Sequence, residues 1–310
     1  MDTKKDIALK ILNNELTINP MEITRFTNGY CHSVYYIKDI DNEYVLRVTD
    51  KDNKEYYYGS IKWLSELILL DIPVPKILKH GQFNDVFFTL ISYIHGKDLG
   101  EIYHALNDFE KQCIAKELSI IQKKTSSLTN SKLFGCSNPK DSSFTTWMEY
   151  LKSLINRSYM RIRQNNIFSI DMCNKVSEIM YSFQEYFQKI QPTPFLDDIS
   201  TKNVLIHKGK LSGIVDIDEI CYGDPFLVIG LTNMALLGME ADTKYIDFWL
   251  DEINANNIQR KATEFYTLLY CIDFMGEQGM QFGNDNIVSY NQKKIDLLKN
   301  IFNKLLEKML

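Results

Sequence analysis

The chain has 310 residues, a formal net charge of −5, and 45% hydrophobic against 24% charged residues. That length permits one large domain or two lobes with separate cores, and the composition is that of an ordinary soluble globular protein. The acidic balance argues against a nucleic-acid partner, because phosphate binding needs basic surface.

The opening stretch, residues 1–20, reads as a helix ending at Asn19-Pro20 and lacks the apolar core of a signal peptide. From Ile23 to Val48 the pattern turns to strands. Asn28-Gly29 marks a hairpin turn, Asp41-Asn42 a second turn, and EYVLRVTD a third strand. Residues 53–70 carry Ile61, Leu64, Leu67 and Leu70 at helical spacing, and Pro73 and Pro75 require the helix to stop before them. KILKHG and DVFFTLISYI then add two more strands, so residues 1–95 predict a five-stranded sheet with one inserted helix.

After Gly96 the texture changes to long helices, expected at 107–126, 144–165, 170–190, 226–238, 243–256, 257–280 and 290–309. Among them lies one β-rich island, NVLIHKGKLSGIVDID, whose two strands turn at Lys208-Gly209-Lys210. The most apolar stretch, Phe226 to Met239, is interrupted by Thr232 and Asn233, so no membrane span is expected. Six cysteines form no CxxC clip and five histidines have no metal-ligand spacing. The expectation is reduced thiols in a cytoplasmic protein with no zinc site.

The island carries the chemistry. Asp198 precedes it, Asn203 begins it, and Asp216 ends its second strand, with four residues between the first two and twelve between the last two. A hairpin folds Asp216 back beside Asn203. Each residue alone suits a turn cap. Together they supply an acid for an attacking hydroxyl and hard oxygen ligands for magnesium, the set that phosphoryl transfer needs.

The segment PFLDDISTKNVLIHKGKLSGIVDIDEICYGDP resembles the central motif of the aminoglycoside phosphotransferase and choline kinase-like family. That pattern is H-G-D-x4-N-V-L, a hairpin, I-D-F/W, then G-D-P. The resemblance implies an α+β, bilobal protein-kinase-like fold. Residues 1–95 would form a small β-rich nucleotide-binding lobe with one helix, and 96–310 a larger, mainly helical lobe for catalysis and substrate binding. It implies a small-molecule kinase that moves the γ-phosphate of ATP or GTP to a hydroxyl, with Mg2+. Asp198 falls on the catalytic aspartate, and Asn203 and Asp216 on the magnesium ligands. Leu196-Asp197 replaces the family's His-Gly. Asp218 and Glu219 would lie behind the metal ligands.

In the small lobe, Arg47 on EYVLRVTD stands where the family has a phosphate-contacting lysine. The helix position of its glutamate partner holds Ser60, with Glu55 earlier on the same helix. Asn28 and Gly29 occupy the hairpin that covers the phosphates, and Ser92, Tyr93 and Ile94 the connector that meets the adenine. Asp273 and Glu277 lie four apart on one helix face and resemble an amine-binding wall. Residues 190–310, with 17 acids against 11 bases, suit a cationic acceptor. An aminoglycoside or similar antibiotic leads as acceptor, ahead of choline, methylthioribose or homoserine. A regulatory pseudokinase is the alternative of a different class. Asp216-Ile217-Asp218 in place of D-F-G, and the lack of A-P-E, disfavour a protein kinase.

Overall fold

The computed structural model describes residues 3–26, 32–138, 143–282, 286–287 and 291–309. Branched and aromatic residues alternate through the first ninety positions, and these stretches pair as expected. Strands β1 (Glu22–Phe26), β2 (His32–Lys38), β3 (Glu43–Asp50), β4 (Ile77–Phe83) and β5 (Val86–Ser92) form one antiparallel sheet in the order β1-β2-β3-β5-β4. Successive strand side chains point to opposite faces. Leu46 and Val48 of β3 therefore join Tyr35, Ile37, Phe88 and Leu90 in a small core under helix α1 (Thr3–Ile11). Arg47 and Thr49 go to the other face. The leading helix is shorter than its sequence pattern, giving way to a π-helical turn at Leu12–Leu16.

Helix α2 (Lys54–Leu69) follows β3 and ends where Asp71 takes a left-handed φ of 52°, ahead of Pro73. Its Trp63, Leu64 and Leu67 are buried in the main core, which the second lobe dominates. The chain crosses from β5 to a short strand β6 (Lys97–Asp98), then to α3 (Leu99–Ile102) and α4 (Asp108–Thr125). The expected island is present as β9 (Val204–His207) and β10 (Lys210–Ile214), with β6 added on the β9 side.

The remaining helices are α5 (Trp147–Asn165), α6 (Asp171–Ser182), α7 (Gln184–Phe187), α8 (Phe226–Gly238), α9 (Lys244–Glu252), α10 (Asn257–Glu277) and α11 (Gln292–Met309). Helices α4, α5 and α10 each start on a reciprocal cap, Asn107 with Glu110, Thr146 with Glu149, and Asn256 with Gln259. The single helix expected at 170–190 is two, α6 and α7. Short strands β7 (Gly135–Cys136), β8 (Thr193–Phe195) and β11 (Cys221–Gly223) form a further sheet in the order β7-β11-β8. Two-residue strands β12 (Gln281–Phe282) and β13 (Asn286–Ile287) pair near the end.

The Gly223-Asp224-Pro225 motif holds this β7-β11-β8 layer to the helices. A Cβ at Gly223, whose φ is +154°, would lie 2.0 Å from the Trp147 ring, so only glycine fits. Asp224 is buried but accepts from Tyr186 (2.8 Å), Tyr266 (2.7 Å) and the Phe226 amide (3.1 Å). Those bonds satisfy a carboxylate that burial pushes above its usual range. No described helix is long and apolar enough to cross a membrane.

Candidate active site

The loop between β8 and β9 carries Asp198 and is fixed at both ends. The Gln122 side chain, on α4, donates to the Leu196 carbonyl (2.8 Å) and accepts from the Leu196 amide (3.0 Å). This buried two-point clasp fixes the loop at Leu196, two residues before Asp198. Farther along, the Gly100 amide of α3 donates to the Thr201 carbonyl at 2.8 Å.

Within the loop, Ser200 donates to Asp198 Oδ1 (3.1 Å), and Asn203 Nδ2 donates to the Asp198 carbonyl (2.9 Å). The Val215 amide bonds the Asn203 carbonyl at 3.0 Å, so the hairpin sets Asp216 beside Asn203. The three residues singled out in the sequence therefore converge. Asp216 has a φ of +60°, unfavourable for a side chain with a Cβ and characteristic of functional positions. Its carboxylate is half exposed.

Asp198 is solvent-accessible, yet protein crowds it from behind. That loss of hydration, followed by the charges of Asp197 and Asp216, pushes its carboxyl up to about 7. Burial and the Asp218 charge also push Asp216 up, against Arg47 and His32.

Arg47 reaches into this group from the sheet. Its Nη2 donates to Asp218 Oδ1 at 2.5 Å and to Asp216 Oδ1 at 3.2 Å. An ionised carboxylate only accepts, so His32 Nε2 donates to Asp218 Oδ2 (2.8 Å), while Thr49 Oγ1 lies 2.7 Å from Nδ1. Burial alone would raise Asp218, but Arg47 and His32 hold it well below the ordinary carboxylate range.

Asp218 is thus a direct partner of Arg47 rather than a distant supporting charge. It takes the place expected for a helix glutamate. Ser60 is buried and donates to the Tyr57 carbonyl instead, and a Cβ at neighbouring Gly59 would lie 2.1 Å from the Asp218 carbonyl oxygen. The missing side chain on α2 lets the Asp216–Asp218 segment approach the helix. One signal for this was available: a glycine beside the absent glutamate, and a spare acid two residues beyond Asp216.

The connector places Tyr93 edge-on to Tyr36 at 5.1 Å. The Ser92 amide donates to the Lys76 carbonyl (2.9 Å), and the Lys76 amide donates to Ser92 Oγ (2.9 Å). Ile94 packs over Gly213 of β10. Asn28 and Gly29 lie outside the described residues.

On α10, Asp273 accepts from Arg157 (3.2 Å), Arg161 (3.1 Å) and Ser158 (3.3 Å), so its charge is met from α5. Glu277 lies 3.9 Å from Arg161, and burial and the Asp273 charge push it up to about 7.

Hard oxygen donors fit magnesium. The Asn203 amide nitrogen is engaged with the Asp198 carbonyl, so Oδ1 is the atom that could hold a cation. Asp216 supplies a half-exposed carboxylate beside it.

The family model for fructosamine kinase matches residues 4–300. The chain belongs to the fructosamine kinase family. The resemblance read from the motif was therefore to a near relative within the protein-kinase-like fold. A solved aminoglycoside phosphotransferase APH(4)-Ia, in ternary complex with AMP-PNP and hygromycin B, is 14% identical, with a TM-score of 0.66 over 99% of this chain and 98% of that one. A protein described as a fructosamine-3-kinase from Haemophilus somnus 129PT is 12% identical, with a TM-score of 0.65 over 96% of each chain. ADP-bound APH(2'')-Ib is 15% identical, with a TM-score of 0.65 over all of both chains. At such identities the likeness establishes the fold. No curated protein sequence matches. This fructosamine kinase family member is a small-molecule kinase, a phosphotransferase acting on a hydroxyl group.

Proposed function

We propose that this kinase transfers the γ-phosphate of ATP or GTP to a sugar hydroxyl of a fructosamine-type acceptor, an amine-bearing ketose. The family match over nearly the whole chain carries this reading. ATP-analogue and ADP complexes of proteins with the same fold support the nucleotide.

In this reading Asp198 orients the acceptor hydroxyl and accepts its proton. Asn203 and Asp216 would hold magnesium, which when bound neutralises phosphate charge. Arg47, held in a fixed orientation by Asp218, presents its planar fork to the nucleotide phosphates. The backbone of Tyr93 and Ile94 meets the base, with Ser92, tied to Lys76, setting the connector's course. Residues 1–95 form the nucleotide lobe and 96–310 the catalytic and acceptor lobe.

The acceptor wall comes from α10. Tyr270 is half-buried near Asp197 and Arg157, and Glu277 is close enough to Lys202 of the loop that carries Asp198 to feel its charge. Because Arg157 and Arg161 already neutralise Asp273, Glu277 is the carboxylate that meets an acceptor amine. Glu277→Gln is expected to raise the acceptor KM about tenfold, the loss of one charge-assisted hydrogen bond, and to leave the nucleotide KM alone. Asp273→Asn acts instead through the two arginines and lowers Tm.

The test is product identification by mass spectrometry with Mg·ATP and a panel of fructosamines, aminoglycosides, choline, methylthioribose and homoserine. Phosphorylated fructosamine, with kcat/KM well above the other acceptors, is the expected result. Preference for any other acceptor contradicts the assignment.

A further inference from the structure

Cys136 and Cys221 face each other across the β7–β11 ladder, directly opposite in register. The adjacent pair carries the ladder bond, from the Ser137 amide to the Ile220 carbonyl at 2.8 Å. Cys136–Cys221 is therefore a non-hydrogen-bonded pair, the kind in which side chains approach closest. The two sulfurs are 3.0 Å apart, and Cys136 Sγ is 3.8 Å from Asp197 Oδ2. All three potential ligand atoms lie within 4.8 Å of one another. The Tyr150 hydroxyl lies 3.5 Å from one sulfur and 3.4 Å from the other.

We infer that Cys136, Cys221 and Asp197 form a binding site for a thiophilic divalent cation of the zinc class, separate from the magnesium site of the catalytic cleft. Two sulfurs and one carboxylate oxygen select such an ion over magnesium, which takes oxygen ligands. A tetrahedral ion with Zn–S bonds of about 2.3 Å and a Zn–O bond of about 2.1 Å holds S···S near ~3.7 Å and S···O near ~3.6 Å. The Cys136–Asp197 separation already fits. The sulfurs need to part by only a fraction of an ångström.

Tyr150 stands where it can orient both thiolates or complete the coordination, and otherwise the fourth position goes to water. Cys136 lines an open cleft of about 560 Å3 with Gly59, Trp63, Ser137 and Tyr222, which gives an ion a route in. No sequence clip announces the site, because its ligands come from three segments brought together by the β7-β11-β8 layer.

Binding is balanced by release of the two thiol protons to solvent. The ion would tie Asp197, next to the catalytic Asp198, to β7 and to β11, the strand that follows Asp216 and Asp218. Loading would therefore brace the catalytic loop from beneath.

The experiment uses the full chain, isolated reduced and stripped of metal, with Zn2+ alone as the probe. Chelator-competition titration should show one tight equivalent with proton release and a higher Tm. Co2+ in its place should give thiolate charge-transfer absorption. Cys136→Ser and Asp197→Asn should each weaken uptake by more than about tenfold, whereas Cys113→Ser should not. For wild-type protein, bound zinc should suppress alkylation of Cys136 but not of Cys113, a readout that needs no folded variant. The inference is overturned by no tight uptake, by uptake unchanged in Cys136→Ser, or by alkylation of Cys136 unaffected by zinc.

Discussion

At Arg47 one guanidinium meets two carboxylates, and the two are not equivalent. Asp216 is half exposed, whereas Asp218 is mostly shielded and also receives His32. Asp218→Asn keeps the shape and removes the charge that fixes Arg47. It is expected to weaken Mg·ATP binding by about tenfold, within the range for loss of a charge-assisted hydrogen bond. Calorimetric titration with nucleotide checks this, and an unchanged Kd would show that Arg47 is held by Asp216 alone. Asp198 makes a different demand. Asp198→Asn should lower kcat by about a thousandfold with nucleotide affinity retained, as for loss of a positioned general base. A carboxylate acting as base must be ionised to accept a proton, and burial together with Asp197 and Asp216 pushes Asp198 up to about 7. Activity should therefore fall as pH is lowered through the raised value. Because the carboxylate faces solvent, screening places the inflection between the ordinary carboxylate range and 7. Asp197→Asn removes one of the charges that raise it and should shift the inflection to lower pH. A pH–rate profile with the same inflection in Asp197→Asn would contradict this coupling. The spacing of Asp198, Asn203 and Asp216 was legible because one hairpin brings them together. The Arg47–Asp218 pair was not, since it joins residues 171 apart in sequence through a backbone approach that Gly59 permits.

Elements with strong local periodicity were the legible ones. The five-stranded sheet and helices α4, α5, α8 and α11 fall within a few residues of their sequence patterns, because alternation and caps act locally. Strands β7, β8 and β11 are two or three residues each, and their pairing is entirely long-range, so nothing in the local pattern marks them. The Gln122 clasp on Leu196 was hidden for the same reason. Gln122→Ala leaves the buried Leu196 amide and carbonyl without that partner and should cost about 1–3 kcal/mol. Tm and kcat should fall together, since the clasp anchors the loop that carries Asp198. Gly223→Ala forces a methyl into the Trp147 ring and should cost about 1–3 kcal/mol or more, with little effect on KM in the fraction that folds. Denaturant unfolding of both variants measures these costs. A Gln122→Ala protein with wild-type kcat would remove Gln122 from its organising role.

For the whole molecule, Arg47 of the sheet meets Asp216 and Asp218 of the helical half, and the proposed site draws on both. Arg47 comes from the sheet, while Asp198, Asn203, Asp216 and Asp218 come from the helical half. Mg·ATP should therefore protect amides in both halves from hydrogen exchange, at 45–48, 91–95 and 198–216 together. Protection confined to one half would contradict the shared cleft. Charge read by segment was a poorer guide. The acidic excess of residues 190–310 suggested a free acidic wall, but Arg157 and Arg161 arrive from the middle of the chain and neutralise Asp273. Folding pairs charges across segments that a linear count keeps apart.

The most direct test of the central claim is phosphorus NMR of wild-type and Asp198→Asn protein with Mg·ATP and a fructosamine acceptor. The wild type should convert the γ-phosphate signal into a new phosphomonoester on the acceptor. The variant should bind nucleotide and form about a thousandth as much. Equal product from both proteins, or ADP and inorganic phosphate alone from the wild type, would contradict a fructosamine kinase with Asp198 as its base.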